Sequence, residues 1–95
     1  VGPVWQDGTH GEAETLASCY RSCLSLAASH GLSTIAFPSL STGIFGYPVD
    51  RASEVALTTV VHALREGAPL ALVLWILFSD SDLATYERAL AAIAD

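Results

Sequence analysis

The chain has 95 residues, enough for one small domain, and its formal net charge is -6 at pH 7. Ten acidic residues outnumber four arginines, and lysine is absent. Because nucleic-acid-binding proteins neutralise phosphates with cationic side chains, this balance argues against a nucleic-acid partner. The longest apolar run, residues 70–78, is far shorter than the roughly 20 residues of a membrane-spanning helix. We therefore predict no membrane partner and take a cytoplasmic location as the default.

Strand and helix patterns alternate in the first half of the chain. Residues 1–5 are typical of the end of a strand that begins upstream. The segment Thr9–Glu12 has the spacing of a capping box, and apolar residues then recur at helical intervals as far as His30. Residues 33–38 are predicted to form a short buried strand, which the glycine-containing loop Ser39–Pro48 follows.

The second half continues the alternation. Helical spacing returns at residues 48–66, and residues 70–78 are apolar at every position. Such a strand suits a parallel sheet that helices cover on both faces. The segment Ser79-Asp80-Ser81-Asp82 is predicted to supply the N-cap of a final helix. The predicted order is strand, helix, strand, loop, helix, strand, helix, which indicates the α/β class.

The loop Ser39–Pro48 has the composition of a loop that binds phosphate with its backbone. It follows a strand and precedes a helix, the place where α/β proteins hold ligands. Gly43 and Gly46 permit close backbone approach, and the hydroxyl groups add hydrogen-bond donors. A tight turn without any ligand explains the same glycines equally well, so the residue types alone leave both interpretations open.

The cysteines and histidines predict neither a disulfide nor a metal site. Cys19 and Cys23 are four residues apart, which on a helix separates their Cβ atoms too widely for a disulfide and favours buried thiols. His10, His30 and His62 have no recognisable ligand spacing. The aromatic residues Tyr20, Phe37 and Trp75 lie on core-facing patterns and are predicted to pack rather than to bind. No cofactor is predicted.

Over its whole length the chain resembles the C-terminal part of a macrodomain, the ADP-ribose-binding module, of the Appr-1''-p processing or O-acetyl-ADP-ribose deacetylase type. The features that carry the resemblance occur in the family's order and spacing. They are Val1-Gly2-Pro3-Val4-Trp5 leading to Gly11-Glu12, Leu16 with Cys19-Tyr20, Ile35-Ala36-Phe37-Pro38, Ser41-Thr42-Gly43-Ile44-Phe45-Gly46-Tyr47-Pro48, and Tyr86-Glu87-Arg88.

The resemblance implies a three-layer α/β/α fold with a mixed sheet, of which residues 1–95 form the C-terminal portion of a single macrodomain. It implies that the loop wraps the diphosphate of ADP-ribose and that Phe45 also packs against the distal ribose. Phe78 and Ser79 would lie on the adenine side. The implied diphosphate and ribose ligands are Ser41, Thr42, Gly43, Ile44, Phe45 and Gly46.

The family's N-terminal strands and its glycine-rich loop have no counterpart in these 95 residues, so no catalytic residue can be named. Three interpretations stay open. The intact parent hydrolyses a group from the distal ribose of an ADP-ribose derivative, or it binds ADP-ribose without turnover, or the piece is an inactive, self-associating fragment. We expect weak or no turnover from these residues alone. The high mean hydropathy of +0.46 and an unpaired sheet edge predict self-association.

Overall fold

The α/β class predicted from the sequence is confirmed by the computed structural model, which describes residues 2–42 and 45–93. Residues 2–5 form no strand, so the predicted first strand is wrong. Pro3 has no N–H to donate, and the Trp5 N–H donates to the carbonyl of Phe45 (2.8 Å) in the later loop. The helices and strands of the described residues are α1 (Glu12–Ser29), β1 (Thr34–Phe37), α2 (Val49–Arg65), β2 (Leu72–Trp75) and α3 (Asp80–Ile93).

Within the described residues, the sheet consists of β1 and β2, which pair in parallel with Thr34 opposite Leu72 and Phe37 opposite Trp75. Burial alternates along both strands, so one face is covered and the other lies open. The expectation that helices cover β2 on both faces is therefore wrong for the described part of the chain. That part forms two layers, one of helices and one of strands.

The core lies between the covered face of the sheet and the helices. Helix α2 packs against both α1 and α3. Leu16 and Tyr20 of α1 are almost fully buried, as are Val60 of α2 and Phe37 of β1. Tyr20 contacts Phe37 edge to face, with ring centroids 4.9 Å apart. The predicted packing roles of Tyr20 and Phe37 are thus confirmed.

The start of α1 differs from the predicted capping box. Its N-cap is Gly11, in the left-handed region with φ 74°, and no side chain caps it. The Thr9 hydroxyl donates instead to Asp7 Oδ1 (2.6 Å), and Glu12 accepts hydrogen bonds from the preceding segment. At α3 the prediction is confirmed, because Ser79 Oγ accepts a hydrogen bond from the Asp82 N–H (3.1 Å).

Among the described residues, no helix combines the length and the apolar composition that crossing a bilayer demands. Cys23 is exposed, so the prediction of buried thiols is wrong for this residue.

Candidate functional site

The loop after β1 and the segment after β2 lie at the same edge of the sheet. Because the two strands are parallel neighbours, their carboxyl ends meet there. Ligands of open α/β sheets bind outside this edge. The structure thus brings the loop Ser39–Pro48 to the side of the sheet on which Phe78 and Ser79 lie.

Two backbone hydrogen bonds define the loop. The Tyr47 N–H donates to the carbonyl of Ser41 (2.9 Å), and the carbonyl of Phe45 accepts from Trp5 (2.8 Å). Gly46 has φ 74°, a conformation that glycine adopts without strain. Of the six predicted diphosphate and ribose ligands, Gly43 and Ile44 lie outside the described residues.

Ser41 is conformationally unusual within this loop. It has φ 66°, in the left-handed region that residues with a side chain rarely adopt. Its Oγ is buried and has no hydrogen-bond partner among the described residues. Gly2 lies directly against it, since a Cβ at Gly2 would overlap the Ser41 Oγ. The segment around Gly2 and the loop are therefore closely packed, and a side chain at Gly2 would displace the Ser41 hydroxyl.

Thr42 and Ser39 connect through their hydroxyls. Thr42 Oγ1 donates to Ser39 Oγ (2.9 Å) and lies 3.3 Å from the Ser39 carbonyl. Ser39 Oγ also forms a hydrogen bond with the Tyr86 hydroxyl (3.0 Å). The loop is thus linked to α3 by a side-chain contact that spans 47 positions of sequence.

An aromatic pair flanks the loop. The rings of Trp5 and Tyr47 have centroids 4.7 Å apart, and the Arg51 guanidinium carbon lies 5.4 Å from the Trp5 ring centroid. Tyr47 is buried, and burial raises the pKa of its hydroxyl. Tyr47 therefore has a structural role, in packing the loop against Trp5. Sequence reasoning missed the contact between Arg51 and Trp5, for which the sequence carries no local signal.

Glu12 organises the segment that precedes α1. Its Oε2 accepts from the backbone N–H groups of Gln6 and Gly8, both at 3.0 Å, and its Oε1 accepts from that of His10 (2.7 Å). Burial of the carboxyl raises its pKa, but these backbone donors outweigh burial and lower the pKa from 4.5 to about 2. Glu12 is therefore a buried, ionised residue that holds the segment at residues 6–10, which directly follows Trp5.

The side chains of Asp7, His10 and Glu12 lie within 4.8 Å of one another. Their polar atoms are engaged within the protein. Asp7 Oδ1 accepts from Thr9 and lies 2.9 Å from His10 Nδ1, while backbone N–H groups donate to both oxygens of Glu12. The hydrogen bond from the Thr9 hydroxyl lowers the pKa of Asp7, with further help from the Thr9 N–H and His10. The three side chains therefore belong to a network of hydrogen bonds that stabilises the loop before α1.

Phe78 and Ser79 follow β2 at the same edge. The Phe78 side chain is 93% exposed, so it is available to a ligand or to another protein surface. Ser79 Oγ accepts the capping hydrogen bond of α3, so its hydroxyl is already partly engaged.

Comparison with known proteins gives the family. The sequence matches the model of the Macro domain family over residues 1–56. A macro domain-containing protein of Chlorobaculum tepidum is 56% identical over 92 residues, which are 97% of this chain and 54% of that protein. The O-acetyl-ADP-ribose deacetylase of Klebsiella pneumoniae is 46% identical over 92 residues, which are 97% of this chain and 53% of that protein.

A solved structure agrees with these relatives. The Oceanobacillus iheyensis macrodomain with ADP superposes with a TM-score of 0.92 at 41% identity, covering 98% of this chain and 48% of the solved chain. The fold and the candidate site are those of an α/β protein that carries a strand-to-helix loop at the carboxyl edge of a parallel sheet. The chain belongs to the macrodomain family, and it spans about half the length of the curated relatives that it matches.

Proposed function

We propose that this chain supplies the diphosphate-binding part of an ADP-ribose site. The observation that carries the proposal is the loop Ser39–Pro48, which follows a parallel strand, precedes α2 and is closed by the hydrogen bond from Tyr47 to Ser41. In a chain with net charge -6, backbone amides rather than cationic side chains must bind the anion. The relative named as a deacetylase of O-acetyl-ADP-ribose and the macrodomain solved with ADP support this ligand class.

The residue roles follow the loop. Backbone amides around Ser41, Thr42, Gly43, Ile44 and Phe45 bind the two phosphates, and Gly43 and Gly46 allow phosphate oxygens to approach the backbone. Phe45, which is half-buried, packs against the distal ribose. Low local dielectric at this partly buried loop strengthens each charge-assisted hydrogen bond.

Phe78 and Ser79 lie on the adenine side in the proposed complex. The exposed Phe78 ring offers a stacking surface for the base, and it stands at the edge of the sheet that carries the loop.

For the whole protein we propose hydrolysis of a group from the distal ribose of an ADP-ribose derivative, either O-acetyl-ADP-ribose or an ADP-ribosylated protein. The name of the Klebsiella relative supports this reaction class. The diphosphate loop orients the substrate, and positioning of this kind contributes to catalysis without itself transferring a proton. The alternative is a module that binds ADP-ribose without turnover. We also propose a cytoplasmic location.

The test is calorimetric titration of the 95-residue protein with ADP-ribose, ADP and AMP. If the loop binds a diphosphate, ADP-ribose and ADP bind at least tenfold more tightly than AMP. Replacing Gly43 with Val abolishes binding while the circular dichroism spectrum stays unchanged, because a side chain there blocks the approach of phosphate. Equal affinities for ADP and AMP, or unchanged affinity in the Gly43→Val variant, would contradict the proposal.

A matched control introduces a valine at a position far from the loop in sequence. Ala91→Val enlarges an exposed position of α3 and leaves the affinities unchanged. Turnover of O-acetyl-ADP-ribose is measured on the same samples. We expect weak or no turnover, and rapid turnover by these 95 residues would show that they contain the catalytic groups.

A second property, self-association, is favoured by the open face of the sheet. Leu72 and Leu74 are 48% and 45% exposed, and Ile76 just beyond β2 is 63% exposed. Apolar residues clustered in this way on a small domain are typical of an interaction surface. We expect sedimentation velocity to show dimers whose fraction rises with protein concentration, and a monomer at all concentrations would contradict this.

A further inference from the structure

Two buried tyrosine hydroxyls lie beneath the start of the loop Ser39–Pro48. The Tyr86 hydroxyl of α3 is 3.0 Å from Ser39 Oγ, which in turn accepts from Thr42 Oγ1 at 2.9 Å. Burial raises the pKa of the Tyr20 hydroxyl of α1, and the nearby Leu40 backbone acts against this shift. The loop residue Ser39 is thus held by a phenol from α3, and its neighbour Leu40 lies beside a phenol from α1.

The two phenols also interact with each other and with the sheet. Each hydroxyl lies close enough to the other to affect its pKa. Trp75 Nε1 of β2 donates to the Tyr20 hydroxyl at 3.4 Å. The Tyr86 hydroxyl thus joins α3 to the loop and the Tyr20 hydroxyl joins α1 to β2, and burial raises the pKa of both phenols, so both stay protonated.

The core locks the rings that carry these hydroxyls. Tyr20 is 1% exposed and Tyr86 is 4% exposed. The Trp75 ring centroid is 6.1 Å from that of each tyrosine, and Tyr20 also packs on Phe37. Because close packing leaves each ring little freedom, the positions of the two oxygens are set by the folded core rather than by the loop.

We infer that Tyr86 is a positioning residue for ligand binding, with Tyr20 in a supporting role. The Tyr86 hydroxyl holds Ser39, and through Ser39 the Thr42 hydroxyl, so that this part of the loop is ordered before the anion arrives. A binding loop that is ordered in advance avoids part of the entropy loss on binding. The inference rests on the proposed function, since it concerns the same loop, and it adds the core residue that sets the loop conformation.

The first test needs no ligand. Tyr86→Phe keeps the ring and removes only the hydroxyl, and amide hydrogen exchange is followed by NMR. We expect the amide of Tyr47, which donates to the Ser41 carbonyl, to exchange about threefold to tenfold faster, while amides within α1 and α2 keep their rates. Thr85→Val is the matched control, because the Thr85 hydroxyl bonds only within α3, to the Ser81 carbonyl and Arg88, among the described contacts.

A double-mutant cycle keeps the inference falsifiable if one variant is poorly folded. Ser39→Ala breaks the same hydrogen bond from the loop side, so it reproduces the exchange pattern of Tyr86→Phe. The double variant exchanges no faster than either single variant, because the two substitutions remove one shared interaction. Additive effects, or loop exchange equal to that of the Thr85→Val control, would overturn the inference.

The second test measures affinity for ADP-ribose. Tyr86→Phe weakens binding about fivefold, which corresponds to the loss of one neutral hydrogen bond, and Thr85→Val leaves it unchanged. If the unsubstituted protein fails to bind ADP-ribose, the proposed function fails while the exchange experiment still decides the role of Tyr86. If binding occurs and Tyr86→Phe alters neither affinity nor loop exchange, the positioning role is wrong.

Discussion

At the scale of single residues, the buried carboxylate of Glu12 accepts hydrogen bonds from backbone N–H groups that no helix or strand pairs. The segment at residues 6–10 belongs to no helix or strand, yet several of its N–H groups donate to the Glu12 carboxylate. Such donors favour the ionised form and hold its pKa near 2 in the folded protein. Folding is therefore coupled to the ionisation of this group.

The coupling predicts how stability depends on pH. Because the folded pKa of about 2 lies below the ordinary value of 4.5, the stabilisation is complete above about pH 4.5 and is lost as pH falls towards 2. Glu12→Gln lowers stability at pH 7 and flattens this dependence. The measurement is the urea midpoint between pH 2 and pH 7.

Glu14→Gln is the control, since it removes the same charge from the same helical turn at a side chain that is 77% exposed. We expect it to keep the acid dependence of the unsubstituted protein. An acid dependence in Glu12→Gln as steep as in the unsubstituted protein would contradict the assignment.

At the scale of elements, the start of α3 depends on Ser79. The Ser79 Oγ accepts from the Asp82 N–H and so satisfies one of the N–H groups that the first turn leaves unpaired. Asp80 and Asp82 add negative charge at the positive end of the helix dipole. The cap also holds the residue that follows Phe78, so it links helix stability to the adenine side of the proposed site.

Removing this cap has a defined cost. Ser79→Ala lowers the free energy of unfolding by about 1 kcal/mol, because alanine offers no acceptor to the helix. Ser79→Asn restores an acceptor at the same position and recovers most of the stability. Chemical denaturation of the three proteins measures both effects. Equal stability of the alanine and asparagine variants would show that the cap contributes nothing.

At the scale of the whole molecule, the helices lie on one face of the sheet and leave the other face apolar and open. The side chains on that face are uncharged, so two copies of this acidic chain meet there without placing like charges in contact. They are Thr34, Ala36, Leu72, Leu74 and Ile76. Free backbone groups along the outer edges of β1 and β2, as far as the described residues extend, add to this tendency.

The proposed self-association predicts that a charge on this face disperses the dimers. Ile76→Glu shifts the sedimentation profile to a monomer, because burying the new carboxylate against a second copy is unfavourable. Leu26→Glu introduces the same charge at a side chain of α1 that is 62% exposed and leaves the dimers intact. Equal dispersal by both variants would point to net charge, rather than to this face, as the cause.

Much of the fold was predictable because its signals are local. Helical spacing predicts α1, α2 and α3 to within a few residues, and the apolar segment at residues 70–78 contains β2. The capping role of Ser79 likewise depends on neighbours in sequence. The predicted strand at residues 1–5 failed for the opposite reason, since a strand exists only if a neighbour pairs with it, and Trp5 bonds to the loop instead.

The loop Ser39–Pro48 shows which features the sequence determines and which features depend on the tertiary structure. Its glycines, its hydroxyl residues and its place between a strand and a helix are properties of the sequence, and together with the family resemblance they lead to the prediction of an anion site. Only the tertiary structure decided that Tyr86 holds Ser39, that Trp5 packs on Tyr47 and that one face of the sheet stays open. The physical reason is that these contacts join residues far apart in the chain, and their partners are set by the packing of the core rather than by any local pattern.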